Sequence, residues 1–138
     1  MKVLQVNSVF GIGSTGRIVM DIHEALIKNG HESYVAYGRG TQQHDNQVIK
    51  IGNKLDVYKH ALLTRVSDRH GYGSKYATKK LIDKIIELDP DIIHLHNIHG
   101  YYINIEIFFN YLKKINKPII WTLHDCWSFT GHCAYFEY

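Results

Sequence analysis

Two periodicities alternate along this chain, and that alternation most restricts what it can fold into. Short apolar, β-branched runs give way to stretches in which apolar residues recur every three or four positions, the pattern of crossover units on a parallel sheet. Strands are predicted at Lys2 to Asn7, Glu32 to Tyr37, Gln47 to Ile51, Ile92 to His96 and Pro118 to Leu123. The first leads into the glycine loop Gly11-Ile12-Gly13-Ser14-Thr15-Gly16. A helix should follow, with Ile18, Ile22, Ala25, Leu26 and Asn29 on one face, Ser14 or Thr15 as its cap and Gly30 as its left-handed stop. Further helices are predicted from Leu55 to about Asp68 and from Lys75 to Leu88, the latter through Leu81, Ile82, Ile85 and Ile86 and ended by Asp89-Pro90-Asp91. A fourth carries Ile107, Phe108, Tyr111, Leu112 and Ile115. The order β-α-β-β-α-α-β-α-β predicts an α/β, doubly wound parallel sheet of strand order 3-2-1-4-5, with a crevice at the carboxyl edge between strands 1 and 4.

At 138 residues the chain suffices for one domain, and no repeat, linker or low-complexity tract divides it. Sixteen Lys and Arg against thirteen Asp and Glu leave a formal charge of +3, too mild and too dispersed to argue for nucleic acid. No apolar run approaches the roughly 18 residues of a membrane span, and Met1 leads into a short apolar stretch without a signal-peptide layout, so a soluble cytoplasmic chain is expected. The two cysteines, Cys126 and Cys133, are too few for a disulfide scaffold. Ten histidines are the compositional oddity.

Three loops should leave the carboxyl ends of strands 1, 4 and 5, each rich in groups that bind ligands or move protons. In Gly11-x-Gly13-x-x-Gly16-Arg17, glycines let backbone N–H groups approach a phosphate or a sugar hydroxyl, although such a pattern also serves as a plain strand-to-helix turn. A nicotinamide or flavin cofactor would need an acid at the end of the second strand. The sequence there is Tyr34-Val35-Ala36-Tyr37-Gly38-Arg39, and no cofactor is expected. In His94-Leu95-His96-Asn97-Ile98-His99-Gly100, alternation sends His94 and His96 to one face. His94, deeper in the strand, reads as a structural histidine, while His96 and His99 at the exit can reach a ligand. The third loop places His124 beside Asp125, a neighbour able to fix its tautomer. His124, Cys126, His132 and Cys133 could close a tetrahedron around zinc, but Cys-x2-Cys spacing is absent and adjacent His132 and Cys133 fit one metal poorly, so a free pair of buried thiols is the plainer reading. A Cys-His hydrolase lacks an oxyanion pattern.

Taken together, Val6-Asn7 leading into Gly11 to Arg17, Asp91 to Gly100, and Trp121 to Cys133 resemble the N-terminal half of a retaining glycosyltransferase of family 4, nearly end to end. The resemblance implies an incomplete half of a GT-B fold, with a Rossmann-like sheet. It implies transfer of a sugar from a nucleotide-sugar donor to a glycan or lipid-linked glycan acceptor with retained configuration, in capsule, exopolysaccharide or O-antigen assembly. Carried over residue by residue, it makes His96 the cleft histidine and catalytic residue. Gly13, Ser14, Thr15, Gly16 and Arg17 would lie near the donor phosphates and acceptor, with Asn97, His99, His124 and Asp125 also binding substrate. Cys126 and Cys133 would be half of a Cys/His cluster completed elsewhere. The family's nucleotide domain, with its Glu-x7-Glu element, and strands 6 and 7 of the first domain have no counterpart in the sequence, so the chain is expected to be a fragment, inactive alone. Peripheral contact with the inner face of the cell membrane is also implied. The competing reading is a standalone domain that binds a phosphorylated or sugar ligand without chemistry.

Overall fold

Alternate side chains of the first strand, β1 (Lys2–Val9), divide between two layers, and the rest of the fold is arranged around that division. A computed structural model describes residues 1–40, 45–67, 69–130, 133 and 135. After β1 come α1 (Gly13–Lys28), β2 (Glu32–Arg39), β3 (Val48–Lys50), α2 (Lys54–Ser67), α3 (Lys75–Leu88), β4 (Ile92–Leu95), α4 (Ile105–Leu112), β5 (Ile119–Trp121) and α5 (Trp127–Thr130). The five strands form one parallel sheet in the order β3-β2-β1-β4-β5, as the sequence predicts. β1 and β2 run further than expected, to Val9 and Arg39, and β3 and β5 are shorter. The expected end of the second helix, Asp68, lies outside the described residues.

Leu4, Val6, Ala36, Ile93 and Leu95 line one face of the sheet and meet Leu81 and Ile85 of α3 and Phe108 and Leu112 of α4. Val35, Tyr37 and Val48 line the other and meet Val19 of α1. Helices on both faces make the sheet doubly wound and Rossmann-like. Side chains that face α1 from the central strands are partly polar: Gln5 is fully buried and its register partner on β4 is His94.

Two expectations for α1 are corrected. Its buried residues are Gly16, Val19 and His23, whereas Ile18 is 41% exposed and Ala25 and Asn29 face solvent. The cause is steric and polar: a Cβ on Gly16 would sit 3.1 Å from Val9 Cγ2, so the helix closes on β1 through its smallest residue. His23 Nδ1, 2.8 Å from Ser33 Oγ, is satisfied within the interface. Neither Ser14 nor Thr15 caps the helix; Ile12 occupies the cap position without a side-chain bond. Gly30 does end it in the left-handed region, with φ +78°. In α3, Ile86 turns outward at 62% exposure, while Leu81 and Ile85 stay in the core. Short α5 was not predicted, because four residues are too few to carry a periodic signature. Among the described residues no helix is long and apolar enough to cross a membrane.

Candidate active site

The strand order makes β1, β4 and β5 neighbours, so their three exit loops share one edge of the sheet. Asn7 ties the first two together. Its Oδ1 accepts from the Asn97 backbone N–H at 3.1 Å, and its Nδ2 donates to Val9 O at 2.7 Å. In the glycine loop Gly13 has φ +65°, a conformation that other residues resist, and Gly11 N–H donates to Gly16 O at 3.0 Å. Ser14 and Arg17 project into solvent from this turn and Thr15 is half-buried.

His94 and His96 share a face, with ring centroids 4.1 Å apart, but their exposure is the reverse of expectation. His96 is 1% exposed and His94 is half-buried. β4 ends at Leu95, and the end of β5 and the loop after it cover His96: Trp121 Nε1 donates to His96 O at 3.0 Å, and His124 stacks on the His96 ring at 15°. His94 instead lies under edge strand β5, where its Nε2 meets Thr122 Oγ1 at 2.8 Å. Burial, aided by the neighbouring rings of His94 and His124, pushes the His96 pKa down to about 3. Both of its nitrogens are engaged, Nδ1 with His124 Nε2 at 3.0 Å and Nε2 with Gln5 Oε1 at 3.1 Å.

Asp125 pairs across the edge with His99 rather than with the adjacent His124. Its Oδ2 is 2.7 Å from His99 Nε2, and its Oδ1 accepts from the Trp127 backbone N–H at 3.0 Å, starting α5. An ionised carboxylate only accepts, so His99 carries its proton on Nε2 and, when neutral, a lone pair on Nδ1. The Trp127 indole leans on His99 with centroids 5.4 Å apart and donates to His70 Nδ1 at 3.0 Å. Trp127 and Ser128 line the same cleft as His96, His99, His124 and Asp125. Sequence reasoning missed Gln5, His70, Thr122 and the cleft role of Trp127. Only Gln5 left a signal, as the one long polar side chain between Val3 and Val6 of an apolar strand.

Cys126 is half-buried and Cys133 exposed, neither in a disulfide, so the expectation of two buried thiols is corrected: Cys126 opens the short α5 and Cys133 lies past its end. Among the described residues no group of three or more His, Cys, Asp or Glu is placed to hold a metal. His132 lies outside them.

The profile of Glycosyltransferase Family 4 matches residues 15–137, which takes in all of the histidine loops. The chain belongs to this family. It is also similar to WcaC of Escherichia coli (strain K12), by name a candidate colanic acid biosynthesis glycosyl transferase, at 29% identity over 147 aligned positions. The alignment covers 98% of this chain and 36% of WcaC, so the chain spans about a third of the length of that relative. Glycosyl transfer is the activity that the names of the family and of WcaC state.

Proposed function

We propose that the chain acts as the acceptor-side, N-terminal part of a retaining GT-B glycosyltransferase. It would move a sugar from a nucleotide-sugar donor to a glycan or lipid-linked glycan acceptor in exopolysaccharide assembly. The observation that carries this reading is the convergence of His96, His99, His124 and Asp125 on one cleft, joined by the hydrogen bonds His96–His124 and His99–Asp125. Imidazole and carboxylate groups of this kind pair with sugar hydroxyls, which both donate and accept. In this reading Gly13 to Arg17, with their helix N-terminus, border the donor phosphates, and Asn97 lies between the two groups. The nucleotide pocket belongs to a second domain.

The setting is the cytoplasmic face of the cell membrane, touched peripherally. Helix α2 supports this, since Leu55, Tyr58, Leu62 and Val66 recur on one side of it at 62 to 79% exposure, beside Lys54, Lys59 and Arg65.

The test is transfer of labelled sugar from a panel of nucleotide sugars onto lipid-linked glycan. The protein that extends this chain with a nucleotide-binding domain is expected to transfer, and the chain alone is not. Turnover by the isolated chain overturns the division of labour. Tight binding of a sugar phosphate by the chain, with no transfer by the extended protein, favours the standalone domain instead.

A further inference from the structure

Gln5 lies in the middle of β1 with no exposed surface, and none of its neighbours along the strand explains a carboxamide there. Its Nε2 is 3.2 Å from Val19 O in α1. A backbone carbonyl can only accept, so this contact fixes the orientation of the amide: nitrogen toward α1, oxygen toward β4. From that atom the direction of the next two bonds follows. Gln5 Oε1 accepts, so His96 must hold its proton on Nε2. Burial keeps His96 neutral, which makes its Nδ1 an acceptor. The facing atom, His124 Nε2, must then be the donor.

Resting on the glycosyl-transfer reading, we propose that Gln5 and His96 are positioning residues that fix His124 in the Nε2–H tautomer, so that neutral His124 presents its Nδ1 lone pair to a hydroxyl of the acceptor sugar. No described residue hydrogen-bonds His124 Nδ1, and the residue is only half-buried on the cleft wall. His99, oriented by Asp125 from the other side, offers a second Nδ1 lone pair in the same cleft whenever it is neutral. Two fixed acceptors suit a ligand that brings hydroxyl donors and give nothing to a phosphate, whose oxygens need donors. The cleft thus divides the work with the glycine loop, where backbone N–H groups and Arg17 suit anions. His96 serves the acceptor through His124, which explains how a nearly fully buried histidine belongs to a substrate site.

The test is nitrogen NMR of the chain carrying isotope-labelled histidine, at a pH two or more units above the ordinary histidine value of about 6.5. His124 signals are assigned by their loss in His124→Gln. The expected result is a protonated Nε2 and a bare Nδ1, favoured roughly tenfold, the ratio that one net hydrogen bond sustains. A His124 protonated on Nδ1 in the unaltered chain overturns the proposal without any variant having to fold. Gln5→Met removes the anchoring oxygen, and the two His124 tautomers are then expected to mix; an unchanged spectrum in a folded variant also overturns it. In the extended enzyme Gln5→Met should lower kcat about tenfold and leave KM for the donor unchanged. Unchanged kcat despite mixed tautomers means the lone pair does not meet the acceptor. If the unaltered extended enzyme transfers no sugar, the functional reading fails while the tautomer result stands on its own.

Discussion

His96 Nδ1 lies 3.0 Å from His124 Nε2, with the two rings stacked 5.3 Å apart, yet one ring is nearly fully buried and the other stands half-open on the cleft. The same hydrogen bond thus joins a residue of the core to a residue of the candidate site. Substitutions on its two sides should separate stability from turnover. His96→Ala leaves Gln5 Oε1 buried without its donor, which typically costs about 1–3 kcal/mol, and so should lower the melting temperature as well as activity. His124→Ala also removes the donor to His96 Nδ1, but at the half-open cleft water can replace it. It should therefore lower the melting temperature less than His96→Ala does and lower kcat of the extended enzyme by about 10²-fold, in the range seen when a transition-state contact is lost. A His124→Ala enzyme with normal turnover would remove the residue from the site.

Acid should unfold the chain in a window set by histidines rather than carboxylates. Burial pushes His96 down to about 3 and His60 to about 4, and it lowers His23 and His94 as well. Each folded pKa lies below the ordinary value of about 6.5, so between these limits the unfolded state binds protons that the folded state refuses. The stability these groups contribute is complete above about pH 6.5 and is lost as pH falls toward 4 and then 3. Thermal melts from pH 7.5 to 4.5 should show a steady fall. A flat profile above pH 5, before carboxylates titrate, counts against the buried, neutral histidines.

Backbone contact makes a sharper stability prediction at Gly38. A Cβ there would lie 2.3 Å from Tyr102 Cβ, and Tyr102 is 1% exposed, with its hydroxyl donating to Asn97 O at 2.8 Å. Gly38→Ala should therefore cost ~1–3 kcal/mol or more by overpacking and should disturb the His96–Gly100 loop. At Gly13, where nothing lies within 4 Å of a Cβ, Gly13→Ala should carry only the cost of its positive φ, about 1 kcal/mol. Equal losses in denaturant melts would mean that the approach of Tyr102 to β2 is looser than 2.3 Å implies.

The sheet and its order were legible because each strand is a short apolar run bounded by Gly, Pro or Asp, and parallel order follows from the intervening helices. The phase of α1 was not, since counting apolar residues gives Gly16 and His23 no weight, although close approach and the Ser33 bond place both inside. Two of the three loops announced themselves through histidines at strand exits. Partner choice did not: adjacency suggested Asp125 for His124, whereas the fold gives it to His99 across the edge. The exposures of His94 and His96 were inverted because depth in a strand says nothing of what later segments cover, and Trp121 at the end of β5 and His124 beyond it cover His96.

Helix α2 predicts a lipid dependence. Its outward Leu55, Tyr58, Leu62 and Val66 sit among Lys54, Lys59 and Arg65, so binding should rise with anionic lipid and fall with salt. Co-sedimentation with vesicles containing phosphatidylglycerol should be reduced severalfold by Leu62→Glu. Equal recovery with neutral and anionic vesicles would remove the electrostatic part of this reading.

The exposed edge of the sheet sets the behaviour of the isolated chain. Among the described residues β5 pairs only with β4, and Ile119, Ile120 and Leu123 are 41 to 49% exposed, with Trp121 close behind. Unpaired N–H and C=O groups on a flat apolar strand are a template for another strand, and natural sheets usually blunt such an edge with charge. No Lys, Arg, Asp or Glu stands between Pro118 and His124, so nothing in the strand opposes pairing with a second copy. Sedimentation of the 138-residue chain should therefore show association that grows with concentration. Ile120→Lys places one charge at the centre of β5 on a residue already 49% exposed, so it should suppress association while leaving the unfolding free energy within about 0.5 kcal/mol of the parent. If Ile120→Lys associates as strongly as the parent chain, the contact lies elsewhere, and the outward face of α2 becomes the surface to charge next.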